Sequence, residues 1–417
     1  MHDVDLPVPA VLTVPMAMHR GTPAKCVVSV GDYLKVGQIV GEADGPNSAH
    51  VHCSASGTVK QIRDTDPVTG KQSISVVIET DGLQVVDETL KPLVIETKED
   101  FLAAVVASGV VGLGGAGAPA MNRFISPPPE KIDYVIINGA ECEPFMTCDT
   151  RTMIDDRELL WMGLNYIKKF FGYKNIIVGV ERHNKASIRS LKELEARDPV
   201  AKVHVLHDKY PQGGKINIIY NTTGRVVPEG GRPGDVGCLV TNVTTMASIM
   251  RYITTGIPMV KKRVTVDGSG VTTRKNILVP IGTPIRDVFA FCGGLRPDAE
   301  KVITGGPMMG SSIPDISQPV IKNTNTLLAF SAKDSILPEA SACIRCGKCV
   351  ANCPMKLMPI SMVEAYERRN SERLDSLKPH VCVECGCCTF TCPAKRPLTQ
   401  QIILAKIYMR KLKAQKN

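Results

Sequence analysis

Two short cysteine runs constrain this chain more than anything else in it. The first is Cys343-Ile-Arg-Cys346-Gly-Lys-Cys349-Val-Ala-Asn-Cys353-Pro354, and the second is Cys382-Val-Glu-Cys385-Gly-Cys387-Cys388-Thr-Phe-Thr-Cys392-Pro393. Both read C-x2-C-x2-C-x3-C-P. Three thiolates so spaced on a tight loop can wrap three irons of a cubane, whereas a fourth on the following helix points to a second cubane. The spacing therefore predicts two [4Fe–4S] clusters with exchanged ligands. Cys343, Cys346, Cys349 and Cys392 hold one, and Cys382, Cys385, Cys388 and Cys353 hold the other. Structural zinc also takes four cysteines, but in pairs divided by a long spacer and not in runs closed by a proline. Cys387 reads as a bystander, and Cys26, Cys53, Cys142, Cys148, Cys238 and Cys292 read as small buried apolar residues.

At 417 residues the chain exceeds one ordinary core and predicts three or four domains. Its fifteen cysteines would be odd as disulfides in a reducing compartment, and metal ligation accounts for their clustering. Met1–Ala10 is acidic and Pro-rich, unlike a secretory leader. No apolar run approaches the ~20 residues that cross a bilayer. The expectation is a cytoplasmic protein, free or peripheral on the cytoplasmic face of the cell membrane. A single Trp and few aromatics exclude a base-stacking platform, so no nucleic-acid partner is expected. Lys406, Arg410, Lys411, Lys413 and Lys416 form an acid-free basic end. It is either a solvated helix face or a contact for an acidic redox partner or an anionic membrane.

From about Val8 to Ile78 the chain reads as β, with short apolar stretches broken by glycines, and looks like a lipoyl-type barrel-sandwich half. The tip Glu42–Asn47 has no lysine to carry a covalent cofactor. His50, His52 and Cys53 fit either a metal site or a strand turning through a polar edge. From Glu99 the period changes. A helix over Phe101–Ser108 precedes the run Gly112–Gly117, and then strands and helices alternate. Strands are predicted at Ile132–Asn138, Asn175–Val180, Lys202–His207 and Cys238–Asn242, and helices at Met153–Phe171, Ala186–Arg197, Ile216–Thr223 and Thr245–Thr255. Such alternation predicts a mostly parallel sheet covered on both faces. Arg263–Ser312 returns to short strands, Ser331–Ala342 reads as a linker, and helices at Leu357–Arg368 and Leu398–Leu412 accompany the cysteine motifs.

Gly112-Leu-Gly114-Gly115-Ala-Gly117 satisfies G-x-G-x-x-G, yet it follows a helix and lacks the later strand-ending acid of a Rossmann fingerprint. The loop is either a phosphate cradle for a flavin or nucleotide or a bare tight turn.

The stretches Gly109-Val-Val-Gly-Leu-Gly-Gly-Ala-Gly117, Ile137-Asn-Gly-Ala-Glu-Cys-Glu-Pro144, Tyr210-Pro-Gln-Gly-Gly214 and Thr304-Gly-Gly-Pro-Met-Met-Gly310, followed by the doubled cysteine motif, carry a resemblance. In this order they resemble the C subunit of the Rnf complex, a membrane ferredoxin:NAD oxidoreductase. Residues 110–250 are more distantly similar to the FMN- and NADH-binding subunit of respiratory complex I. The resemblance implies a multidomain α/β plus β fold: a barrel-sandwich hybrid over 1–90, a complex-I-flavoprotein-like α/β domain over 95–260, a small SLBB-like β-grasp domain over 262–330, and a two-cluster ferredoxin-like α domain over 336–417. It implies noncovalent FMN held by Gly112, Gly114, Gly115 and Gly117, with Asn138, Glu143 and Asn242 beside the flavin and Arg123 where the family carries Lys.

It also implies that NADH reduces the flavin and that electrons pass singly to the clusters and on to other redox subunits, possible partners including ferredoxin. Two positions depart from the family pattern. Ala118 stands where a Phe stacks on the adenine, and Lys215 stands where a Glu faces the NADH ribose and nicotinamide. Losing the stack forfeits about 0.5–1.5 kcal/mol beyond area burial, and a cation cannot accept hydrogen bonds from ribose hydroxyls. Both changes fall on the dinucleotide and spare the flavin. They favour a second possibility, an Rnf-C-like carrier feeding a soluble reductase such as a proline or corrinoid-protein reductase.

Overall fold

Alternating apolar residues near the N-terminus close two small sheets on each other. The computed structural model describes residues 4–65, 73–115, 117–125 and 128–416. Val11–Pro15, Ser73–Thr80, Gly57–Thr65 and Tyr33–Leu34 form one antiparallel sheet, and Lys25–Cys26, Ile39–Glu42 and Val51–His52 form the other. Leu12, Val14, Val40, Val51, Val76 and Ile78 meet between them with no exposed surface. Gly41 is required there, since a Cβ would lie 2.5 Å from the Met16 sulfur. This is the barrel-sandwich hybrid. Val4–Asp5 leaves it and pairs in parallel with Ile277–Leu278 on the edge of another sheet.

The second unit carries the site. Four parallel strands stand in the order Lys202–Leu206, Asn175–Glu181, Tyr134–Asn138, Cys238–Asn242. The central run Val135-Ile136-Ile137 is fully buried, as a parallel strand covered on both faces must be. Helices Arg157–Phe171, Lys185–Arg197, Lys215–Thr223 and Val243–Thr255 cover the sheet. The single helix expected over Met153–Phe171 is two, Cys148–Asp155 and Arg157–Phe171, broken at Asp156. That residue leaves helical geometry, and its carboxylate accepts from Arg263 Nη1 at 2.9 Å.

Phe101, on helix Lys98–Ala107, packs edge-on against Phe124 at 5.4 Å and against Phe170 and Phe171 at 6.2 and 6.0 Å. This aromatic cluster anchors the short helix Asn122–Ile125 that carries Arg123. Phe101→Ala is expected to cost about 3–5 kcal/mol, read by urea denaturation as a lower midpoint at unchanged slope.

The third unit is a six-stranded sheet in the order Val4–Asp5, Lys275–Pro280, Lys261–Asp267, Thr326–Ser331, Ala299–Thr304, Ser311–Ser312, with helix Ile285–Phe291 on it. The segment Lys322–Asn325, just before strand Thr326–Ser331, leaves this sheet to reach the α/β unit. After helix Ala332–Ser335 the chain enters the cysteine-rich unit, built on Pro359–Glu367, Ser371–Leu377 and Leu398–Lys416 around Met362, Val363, Leu398 and Ile402. Both cysteine motifs fold alike. Arg345 and Glu384 take φ of 54° and 59°, Gly347 and Gly386 take 74° and 82°, and Lys356 and Lys395 take 55° and 54°.

Candidate functional site

The repeated backbone wraps two cysteine-walled spaces. One, of about 270 Å³, is lined by Cys343, Cys346 and Cys349 together with Cys392 from the other motif. The second, narrower at about 20 Å³, is lined by Cys382, Cys385 and Cys388 together with Cys353, and also by Cys387. The thiols ring a space in each case, whereas no three His, Cys, Asp or Glu side chains among the described residues converge on a point for a single ion. Backbone N–H groups already face sulfur: Arg345 to Cys343, Glu384 to Cys382 and Leu357 to Cys353, each at 3.4 Å. Burial pushes the Cys382 thiol up to about 11 and Cys385 to about 12. A thiolate there needs a cation beside it, which iron supplies. The donor set, its order along the chain and its N–H···S bonds are those that suit a cubane at each site.

The two spaces differ in position. Cys346 is exposed, whereas Cys353, Cys385 and Cys388 are buried. The Cys385–Cys387 loop is docked on the other units. The Tyr210 hydroxyl donates to Cys385 O at 2.8 Å and to Glu143 Oε1 at 3.2 Å, and Glu143 Oε2 accepts from Met308 N–H at 3.0 Å. Gly386 backs onto Met308 so closely that a Cβ would lie 2.9 Å from its carbonyl. Burial raises the Glu143 carboxyl above the usual range. Lys406, which the sequence presents as part of a free basic end, instead donates to Cys382 O at 3.0 Å and pairs with Glu384 behind the cluster loop.

The glycine loop sits at the C-terminal ends of the parallel strands, where open α/β sheets take ligands. Its own bonds make it tight: Gly112 N–H donates to Ala118 O at 2.7 Å and Gly117 N–H to Gly112 O at 3.0 Å. Asn138 and Asn242 are register partners on adjacent strands. Asn242 Oδ1 caps helix Val243–Thr255 by accepting from the Thr244 and Thr245 N–H groups, and its Nδ2 donates to Asp149 Oδ2 at 2.7 Å. A Cβ on Gly114 would come within 3.2 Å of Asn242, so loop and strand end are in contact. Asn138 Nδ2 donates to Gly213 O at 2.8 Å. Arg123 Nη2 lies 3.9 Å from where a Gly112 Cβ would sit.

The electrostatics around Arg123 are cationic. Burial and then the charges of Arg123 and Arg20 push the Lys215 ammonium down to about 8, and burial alone lowers Arg123. Among the described residues no carboxylate pairs with Arg20, Arg123 or Lys215. The Gly114 and Gly115 N–H groups likewise meet no acceptor, and space beyond Gly115, at φ 102°, is open. Free N–H groups on a glycine turn, with the unpaired Arg123 guanidinium beside them, form an anion cradle. That donor set fits a flavin phosphate.

Comparison with known proteins matches the chain in four consecutive parts: an RnfC barrel sandwich hybrid domain over 4–83, a Nuo51 FMN-binding domain over 105–251, an SLBB domain over 263–311 and a 4Fe-4S dicluster domain over 342–395. It is 40% identical over 405 residues to the C subunit of the Na(+)-translocating ferredoxin:NAD(+) oxidoreductase complex of Acetobacterium woodii, covering 95% of this chain and 90% of that one. The chain belongs to the RnfC family. Other members are the proton-translocating counterpart of Clostridium ljungdahlii, 37% identical over 85% of this chain and 78% of that one, and the C subunit of the ion-translocating oxidoreductase complex of Rhodobacter capsulatus, 32% identical over 86% and 70%.

Within this RnfC fold, the residues assigned from sequence fall into two groups. Gly112, Gly114, Gly115, Gly117, Arg123, Asn138 and Asn242 gather at the loop, whereas Glu143 stands on the wall that meets the Cys385 loop. His50 and His52 belong to no metal group among the described residues; His52 is buried against Gly109. Sequence reasoning missed Arg20, Lys322, Asn323 and Asn325. The one available signal was the polar run Lys322-Asn-Thr-Asn325 between apolar Val320-Ile321 and Leu327-Leu328.

Proposed function

We propose that the chain is the flavin- and cluster-bearing electron-transfer subunit of an ion-translocating ferredoxin:NAD(+) oxidoreductase complex, peripheral on the cytoplasmic face of the membrane with the other subunits as partners. The observation that carries this is the pair of crossed cysteine-walled spaces, the buried one tied through Tyr210 to the unit that holds the glycine loop. Gly112, Gly114, Gly115, Gly117 and Arg123 would hold the FMN phosphate, with Asn138, Glu143 and Asn242 around the flavin. Cys343, Cys346, Cys349 and Cys392 would hold one cluster, and Cys382, Cys385, Cys388 and Cys353 the other. FMN supplies exchange between hydride and single-electron chemistry, and the clusters carry electrons one at a time. The side chains fix distance and exclude water. No helix among the described residues is long and apolar enough to cross a membrane.

Anaerobic titration of the full chain with NADH tests the assignment: the flavin absorbance should bleach. No bleaching at about millimolar NADH, the upper end of ordinary KM values, rejects NADH as the donor. Lys215 and Ala118 favour a second reading, in which the same cofactors serve a soluble reductase; in that case a reductase partner and not NADH reacts with the flavin.

Tyr210→Phe removes the donor shared by Cys385 O and Glu143. Leaving these partly buried acceptors unsatisfied should cost about 1–3 kcal/mol. Rapid-mixing traces should show slower cluster reduction with unchanged iron content, because the loss falls on docking and not on ligation.

A further inference from the structure

Three carbonyl groups of the stretch Gly109–Gly117, those of Gly109, Leu113 and Gly115, face donors supplied by the third unit. Lys322 Nζ donates to Gly109 O at 2.7 Å and to His50 O. Asn325 Nδ2 donates to Leu113 O at 2.7 Å, and Asn323 Nδ2 to Gly115 O at 3.5 Å. In a trans peptide the C=O and the following N–H point in opposite directions. Holding Leu113 O from behind therefore turns the Gly114 N–H to the open face. Asn323 also bounds Gly117, whose Cβ would approach its Nδ2 at 3.1 Å.

Lys322 is the unusual member. Its side chain is among the largest fully buried ones in the chain, with 1% exposure. Both of its acceptors are neutral carbonyls, and among the described residues no carboxylate pairs with it. His50 and His52 are its titratable neighbours, and each is held toward its neutral form by burial first and by Lys322 next. Burial pushes the Lys322 ammonium down to about 7. A buried cation without an acid is costly unless an anion compensates it, and Lys322 with Asn325 braces the stretch from Gly109 to Leu113 that leads into the free Gly114 and Gly115 N–H groups.

We propose that Lys322, with Asn323 and Asn325, is a positioning residue through which the β-grasp unit shapes the glycine loop, and that its buried ammonium makes this loop select a phosphate monoester dianion. This rests on the flavin reading and deepens it: the strap recognises the phosphate end of the ligand and not the ring. Two chemistries of one ligand then separate the roles, since FMN and riboflavin differ only in that phosphate.

The test measures FMN and riboflavin affinity by flavin fluorescence quenching in the full chain, carrying its clusters, for wild type, Lys322→Met and Lys322→Gln. Gln keeps a donor for the carbonyls and removes the charge, so it decides the matter where Met fails to fold. The expected result is FMN binding weakened at least tenfold in both variants, with riboflavin binding changed less than twofold. Equal weakening of FMN and riboflavin would reduce Lys322 to a structural role, and unchanged FMN affinity would remove it from the site; either overturns the proposal. Wild-type chain that binds neither flavin overturns the flavin reading itself and this proposal with it.

Discussion

Changing Cys353 to alanine is expected to empty the cluster space beside the α/β unit and to leave the outer one filled, although Cys353 belongs to the first motif. It lines the same space as Cys382, Cys385 and Cys388, and its sulfur accepts from Leu357 N–H, two residues before helix Pro359–Glu367. Removing one of four thiolates from a cubane there would leave an open iron, with the Cys382, Cys385 and Cys388 thiolates, two of them buried, short of their countercharge. The expected loss is roughly half of the iron and acid-labile sulfide, with the remaining EPR signal that of the exposed cluster. Cys392→Ala should do the reverse and empty the Cys343, Cys346, Cys349 space. Cys387→Ala should leave both clusters in place, because the Cys387 thiol donates to Tyr210 O at 3.8 Å and the other four cysteines complete the set. A Cys353→Ala protein that lost the outer cluster would show the two motifs to be independent, each closing on its own fourth cysteine.

The second large effect is a gain. Lys215→Glu combined with Ala118→Phe should raise the rate of flavin reduction by NADH at least tenfold in stopped-flow absorbance. Lys215 stands at the start of helix Lys215–Thr223 beside Arg123 and Arg20, in a group of three cations with no acid among the described residues. A carboxylate there relieves that repulsion and can accept hydrogen bonds from ribose hydroxyls. A charge-assisted hydrogen bond is worth about 1.5–3 kcal/mol, and 1.4 kcal/mol is tenfold. An unchanged rate would mean that residues 118 and 215 do not face the dinucleotide and that the departure at these positions has another meaning.

How much of the molecule is legible in its sequence varies with the kind of signal. The cysteine runs speak clearly because ligand spacing along a tight loop is a local property, and the shared positive φ at Arg345 and Glu384 shows the same local rule applied twice. The parallel sheet is legible from strand–helix alternation, with strand Cys238–Asn242 read to the residue. The break at Asp156 is not, because it answers to Arg251 and Arg263, about a hundred residues away. The glycine loop is visible as a loop, yet its purpose is ambiguous from sequence. The features that support the proposed cradle are long-range: the carbonyls of Gly109, Leu113, Gly115 and Gly117 accept from Lys322, Asn325, Asn323 and the Arg20 N–H, which come from two other units. Long-range donors of this kind leave no periodic trace. The basic end misleads for a related reason: Lys406 looks like surface charge in sequence, whereas the fold turns it onto Glu384 and the Cys382 carbonyl.

All of these expectations depend on thiolates from two interlocked motifs enclosing iron–sulfur cubanes next to a flavin-holding loop. Metal and acid-labile sulfide analysis of oxygen-free full-length protein, with EPR after dithionite reduction, is the sharpest check. About eight iron and eight sulfide per chain are expected, with little zinc and the signals of two interacting reduced clusters. Stoichiometric zinc with neither iron nor sulfide would refute the cluster assignment.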